Sequence, residues 1–188
     1  MTFDELSERV AHYCDENQVE NEEYFLTTLN GALAELLERF PEVVRKTVSF
    51  GETNSQTFVN MNETTEDFAS FSNPSLRVNG EFLPIGHPLV DARLGEVTIP
   101  RGFEGEIDIY YNKRAPRLNF SDMERNIEIP ISDEKAELVI LLIAYRLLVI
   151  DEDKKASWVK ALYDEASYRF ETRMTGVSAG YRSVDGWA

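Results

Sequence analysis

The stretch SDEKAELVILLIAYRLLVI (132–150) decides the fold. It opens on Ser132, a residue able to cap a helix, with Asp133 and Glu134 in the first turn, where negative charge suits the helix dipole. From Leu138 to Ile150 it is apolar nearly all round. A helix of that kind has to be covered on most of its sides. Arg146 interrupts the run, which is too short to span a bilayer. The spacing predicts a helix over 133–150 at the centre of a core.

The flanks supply candidates to cover it. Asp151-Glu152-Asp153 opens a further helix to about residue 174, with Trp158, Leu162, Ala166, Phe170 and Met174 lining one face at a spacing of four. Gly176 is expected to end it, leaving a flexible tail over 177–188. At the other end of the chain, residues 2–16 read as a helix. Thr2 and Glu5 form a capping-box pattern, and Phe3, Leu6, Val10 and Tyr13 recur at helical spacing. After the polar link ENQVEN (16–21), a second helix spans about 21–40. Its apolar face is Phe25, Leu29, Leu33, Leu36, Leu37 and Phe40, and Pro41 stops it.

The middle changes period. VVRKTVSF (43–50), SQTFVNM (55–61), SLRVNG with EFLPIG (75–86), GEVTIP (95–100) and GEIDIYYNKR (105–114) are strand candidates punctuated by glycines. Asn79-Gly80 is the strongest hairpin signal. In 105–111, Glu106 and Asp108 alternate with Ile107 and Ile109, which describes a strand with one wet face. EIPIS (128–132) reads as a short closing strand.

The expected fold is therefore α+β. Two helical hairpins form a four-helix core, with an inserted small antiparallel β-domain and a flexible C-terminal tail. The boundaries are 1–42 for the N-terminal hairpin, 43–131 for the β-rich insert, 132–176 for the C-terminal hairpin packing on the first, and 177–188 for the extended tail.

Charge narrows the function classes. The 188 residues carry a formal net charge of −15, which argues against a surface that grips DNA or an anionic membrane. The single cysteine, Cys14, allows no internal disulfide. The start MTFDELSERV has no basic segment followed by an apolar one and does not read as a signal peptide.

Catalytic constellations are sparse. His12 and His87 are the only histidines, and neither has a partner at ligand spacing, so no histidine-based metal site is expected. Cys14 lies two residues from His12, and residues two apart on a helix point in different directions. The acids at 151–153 need no metal at a helix start, and NETTED (62–67) lacks the alternating acids and central glycine of a helical calcium loop. Glycine-rich phosphate loops are absent. Lys113, Arg114 and Arg117 form one small basic spot beside Tyr110 and Tyr111. Its plain reading is a solvated strand end with tyrosines packed on a sheet. No catalytic, cofactor or metal residues are assigned.

Taken whole, the chain resembles the head–tail connector (adaptor, or head-completion) proteins of tailed bacteriophages. Three stretches carry the resemblance. The first is the opening hairpin TFDELSERVAHYC with EYFLTTLNGALAELLERFPE. The second is the β-insertion closing on GEIDIYYNKRAPRL and IEIPIS. The third is the returning hairpin DEKAELVILLIAYRLLVIDEDKKASWVKALYDEASYRF. The resemblance implies a structural virion protein in the neck region, assembled in the host cytoplasm, with no enzymatic activity and no cofactor. It implies a homo-oligomeric ring, usually twelvefold, under the portal protein, extending the DNA channel and meeting a tail or stopper protein. DNA would pass without sequence-specific binding, and no membrane is involved. An acidic channel wall suits that passage.

The ending YRSVDGWA then gains a role. By analogy the tail docks on a neighbouring ring with Tyr181 and Trp187 as anchors, since buried aromatics can offset the cost of ordering a tail. The other reading is a tail folded onto its own domain. Two further functions stand beside the connector: a small acidic chaperone for an assembly or secretion client, and an enzyme with a carboxylate pair in the β-domain.

Overall fold

The computed structural model describes residues 1–14, 19–83, 87–149 and 153–184, with side chains on the last helix described from Lys154 to Met174. The helices are α1 (Phe3–Ala11), α2 (Glu22–Arg39), α3 (Met61–Thr64), α4 (Phe120–Glu124), α5 (Asp133–Leu148) and α6 (Asp153–Val184). The strands are β1 (Val43–Phe50), β2 (Thr57–Asn60), β3 (Phe68–Val78), β4 (Glu81–Leu83), β5 (Val90–Asp91), β6 (Glu96–Ile99) and β7 (Gly105–Lys113). Two compact units divide the chain: Met1–Leu36 with Arg117–Ala188, and Leu37–Pro116.

In the helical unit α5 is the hub. Leu138 through Ala144, Leu147 and Leu148 are buried. α5 packs most extensively on α6 and next on α1. The capping box at Thr2 and Glu5 forms as expected and starts α1, and Asn21 caps α2 by accepting from Tyr24 N at 3.2 Å. Ser132 holds the N-cap position of α5, but its side chain makes no capping bond. Arg146, which breaks the apolar run, turns its guanidinium to Glu35 on α2. It crosses Gly31 so closely that a Cβ there would lie 2.6 Å from the guanidinium. Tyr24 Oη adds a bond to the Arg146 carbonyl at 3.5 Å.

Side-chain amides fasten the irregular segments. Asn30 Nδ2 donates to Leu118 O at 2.9 Å, and Leu118 N donates back to Asn30 Oδ1 at 2.9 Å. Asn126, at φ 47°, donates to Asp4 Oδ2 at 2.6 Å and accepts from Asp4 N at 3.0 Å. EIPIS does not close the β-region. Glu128 forms a single bridge with Thr2, and Ile129 N donates to Met1 O at 2.9 Å, so this segment lies with the helices.

The expected four-helix core of two hairpins is not what forms. α1 has nine residues, and it and the start of α2 flank an open cleft instead of closing on each other as a hairpin. α3 and α4 are additional short helices, each started by an asparagine cap, at Asn60 and Asn119. The β-rich part is antiparallel, as expected, and forms two sheets.

The flexible tail is also corrected. α6 runs through Gly176 and Gly180 to Val184. One glycine costs a helix about 1 kcal/mol relative to alanine, which a long helix carries where no proline follows. The face of α6 is rotated from the expected stripe. Ala156, Val159, Tyr163, Ser167 and Phe170 are buried, whereas Trp158 is 54% and Met174 53% exposed. Trp158 instead rests on Tyr13, with ring centroids 6.2 Å apart.

In the β unit one sheet has the order β1-β7-β3-β4 and the other β2-β6-β5. Both contribute to one core, with Phe71, Leu76, Ile107 and Ile109 from the first sheet and Val59, Val97 and Ile99 from the second. β7 pairs with β1 and β3 and buries Ile107, Ile109 and Tyr111 while Glu106 faces solvent, so the alternation fixes its register. Asn79 (φ 51°) and Gly80 (φ 90°) are both left-handed and join β3 to β4, as a two-residue hairpin turn requires. β3 is irregular between Phe71 and Leu76, where the Asn73-Pro74 bond is cis.

Leu142→Asp places an unpaired charge at a site 3% exposed and should cost about 3–5 kcal/mol. That is a large part of a domain's stability, so the variant should lose its cooperative thermal transition. A wild-type melting curve would remove α5 from the core. Asn30→Ala leaves both backbone groups of Leu118 without their amide partner and should cost about 1–3 kcal/mol in urea unfolding. An unchanged midpoint would mean that water replaces the clasp at no cost.

Candidate functional surfaces

The two residues expected to anchor a partner fall at the end of the chain. Tyr181 lies on α6. Trp187 lies outside the described residues.

The histidines and the cysteine are locally engaged. His12 Nδ1 bonds Glu8 O at 2.7 Å, and the Cys14 thiol donates to Val10 O at 3.2 Å. His87 Nδ1 accepts from Leu89 N at 3.3 Å. Among the described residues no group of three or more His, Cys, Asp or Glu could hold a metal ion. No described helix is long and apolar enough to cross a membrane.

Two titratable side chains with shifted pKa values meet in the β unit. Thr65, Asp67 and Tyr111 form a closed hydroxyl–carboxylate cluster. Thr65 Oγ1 and Tyr111 Oη both donate to Asp67 Oδ1, the latter at 2.8 Å. Burial pushes the Asp67 carboxyl up, but the bonds from Thr65 and Tyr111, with Lys113 nearby, outweigh it and hold the pKa below the ordinary value. Burial pushes the Tyr111 phenol up. The Thr65 contact opposes this, and the Asp67 carboxylate adds to it. A carboxylate held low is a weak base near neutrality. The cluster acts as a clamp, tying the end of NETTED to the central strand β7. Arg114 N strengthens it by donating to Asp67 O at 2.6 Å.

The basic spot resolves into the same framework. Tyr111 is buried in the core, and Tyr110 points to the opposite face of the sheet, against Phe82 at 5.7 Å between centroids. The Arg77 guanidinium sits 5.4 Å from the Phe82 ring. On that outer face Thr47 donates to Asp108 at 2.7 Å and Ser49 to Glu106 at 3.1 Å, so these carboxylates are occupied by cross-strand partners.

A sizeable opening lies in the helical unit. It is a cleft of about 550 Å³ between α1, the start of α2 and α4. Phe3, Ala11, Val19, Phe25 and Met123 supply its apolar lining. Asp4, Glu8, Glu20, Glu22 and Glu124 are exposed along it, and no Lys or Arg is among the described residues that line it. Sequence reading missed this cleft because the five acids come from three separated segments. Each looks like an ordinary solvated helix face. The Asp67 clamp was equally hidden, since nothing in 62–67 signals a tyrosine more than forty positions away, a separation of 44.

No protein-family model matches the chain, and no curated protein sequence matches it.

Asp67 sets a pH dependence with a definite sign. Its folded-state pKa is depressed, so its contribution is present above the unfolded value near ~4 and is lost as pH falls through the folded value. Asp67→Asn should therefore cost about 1–2 kcal/mol at neutral pH and less in acid, where wild type loses the same contribution. Urea unfolding at a series of pH values checks this. A cost independent of pH would show that shape, not charge, carries the clamp.

Proposed function

We propose that the protein is a structural component of a virion neck, a head–tail connector that works by docking. In this reading its copies close into a ring under the portal protein, twelvefold in the family it resembles. The ring extends the DNA channel and meets a tail or stopper protein. Side-by-side contacts between identical subunits close by rotation, so one heterologous interface suffices. A net charge of −15 gives a wall along which DNA passes without being held.

The observation that carries the reading is α6. It is one helix of 32 residues, and it continues for fourteen residues from Phe170, the last buried side chain described on it, to Val184. At 1.5 Å per residue that is about 21 Å of helix. In this reading the helix carries Tyr181 toward a neighbouring ring, and Trp187, which follows the described residues, is the second anchor.

The test is affinity purification of the tagged chain from the lysate in which it is naturally made, with the partners identified by mass spectrometry. Co-purification of a portal protein and a tail or stopper protein is expected. A single unrelated client would overturn the connector in favour of a chaperone. Deletion of 177–188, or Trp187→Ala, should weaken portal recovery while leaving the melting temperature near wild type. Undiminished recovery by the deletion would take the docking role away from this end of the chain.

A further inference from the structure

We propose that the cleft between α1, α2 and α4 binds a partner protein through a basic segment that inserts a bulky apolar side chain. This site does not depend on the connector reading.

The argument starts at the floor. Phe3 and Phe25 are 2% and 3% exposed, so the bottom of the cleft is apolar core reached from outside. A volume of about 550 Å³ lies within the range of binding clefts and admits a large side chain with its flanking backbone. The walls set the charge of the occupant. Asp4 and Glu8 stand on α1, Glu20 and Glu22 at the entry to α2, and Glu124 at the end of α4. Asp4 is engaged by the neutral amide of Asn126, and none of the five carboxylates is in an ion pair among the described residues.

Five like charges around a low-dielectric floor focus a negative potential into the opening. The acids are dispersed rather than convergent, and no described trio could hold a metal, so the geometry suits several separate cationic groups and not one ion. An apolar anchor flanked by Lys or Arg satisfies floor and rim together, as in a helix laid into a groove.

The test uses the full chain and a fluorescein-labelled amphipathic peptide of leucine and lysine with leucines at helical spacing, read by fluorescence anisotropy at physiological salt. Ala11→Trp fills the cleft. The triple variant Glu8→Lys, Glu22→Lys and Glu124→Lys reverses its rim. The triple Glu66→Lys, Glu81→Lys and Glu104→Lys makes the same net charge change in the β unit. The proposal expects the peptide to bind and both cleft variants to weaken it at least about tenfold. The β-unit triple should leave it near wild type. An equally tight all-lysine peptide, or full competition by spermine, would overturn it by showing that charge alone is recognised. So would absence of binding, or an equal loss in the β-unit triple. Sedimentation showing that the wild type self-associates and that Ala11→Trp abolishes it would assign the cleft to a second copy of the chain and also overturn the proposal.

Discussion

The need to bury α5 on every side governs the helical unit. Each buried leucine or isoleucine contributes about 1.5–3 kcal/mol by leaving water, and α5 carries a nearly unbroken series of them. No single partner helix covers such a surface. α1 covers part with Phe3, Leu6 and Val10, and α6 covers the larger part with Val159 and Tyr163. α2 is tied in through Tyr24 and Glu35 to Arg146. These elements come from both ends of the chain, so residues 37–116 must leave the helical unit and return to it. The insertion is a consequence of one greasy helix near the C-terminal end. The amides of Asn30 and Asn126 then secure the returning segment, where no regular structure satisfies the backbone.

The β unit solves its own burial problem by alternation. β7 is flanked on both edges, and its inward residues meet the second sheet while its outward carboxylates find hydroxyl partners on β1. Tyr111 belongs to both worlds. Its ring sits in the aromatic cluster with Phe68, and its hydroxyl needs an acceptor because a buried phenol without one is costly. Asp67 supplies that acceptor, and Thr65 supplies the second donor that keeps the carboxylate satisfied.

Elements governed by short-range rules were legible in the sequence. β1 spans the eight residues read as a strand, the Asn79-Gly80 turn has the two positive φ angles its composition demands, and Thr2 with Glu5 closes the capping box. What was not legible depended on distant partners. A spacing of four drifts around a 3.6-residue helix, so the stripe from Trp158 to Met174 winds off the buried face, which holds Val159 and Tyr163 instead. Gly176 read as a stop, yet only local chemistry favoured stopping. The opening hairpin read as closed because periodicity reports which residues are apolar and not whether two helices meet. Phe3 and Phe25 do face a common space, but among the described residues a cleft remains in it. The acidic cleft follows from that gap, and no pattern within α1, α2 or α4 taken singly encodes it.

The distribution of charge constrains how copies of this chain could sit together. At physiological ionic strength exposed charges act over about 8 Å, so a net charge of −15 is felt mainly where surfaces touch. Copies of the chain brought into contact would therefore have to meet on faces where acids are already paired or absent. The outer face of the β1-β7-β3-β4 sheet meets part of that condition, with Asp108 and Glu106 bonded to Thr47 and Ser49 and with Arg45 3.8 Å from Asp108. The cleft end of the helical unit does the opposite, holding five exposed carboxylates with no Lys or Arg among the described residues that line it. Two such ends brought together would repel, so two copies of the chain would meet elsewhere. The cleft end suits a surface of opposite charge, so a second copy of the chain and a basic surface would favour different faces of one acidic protein.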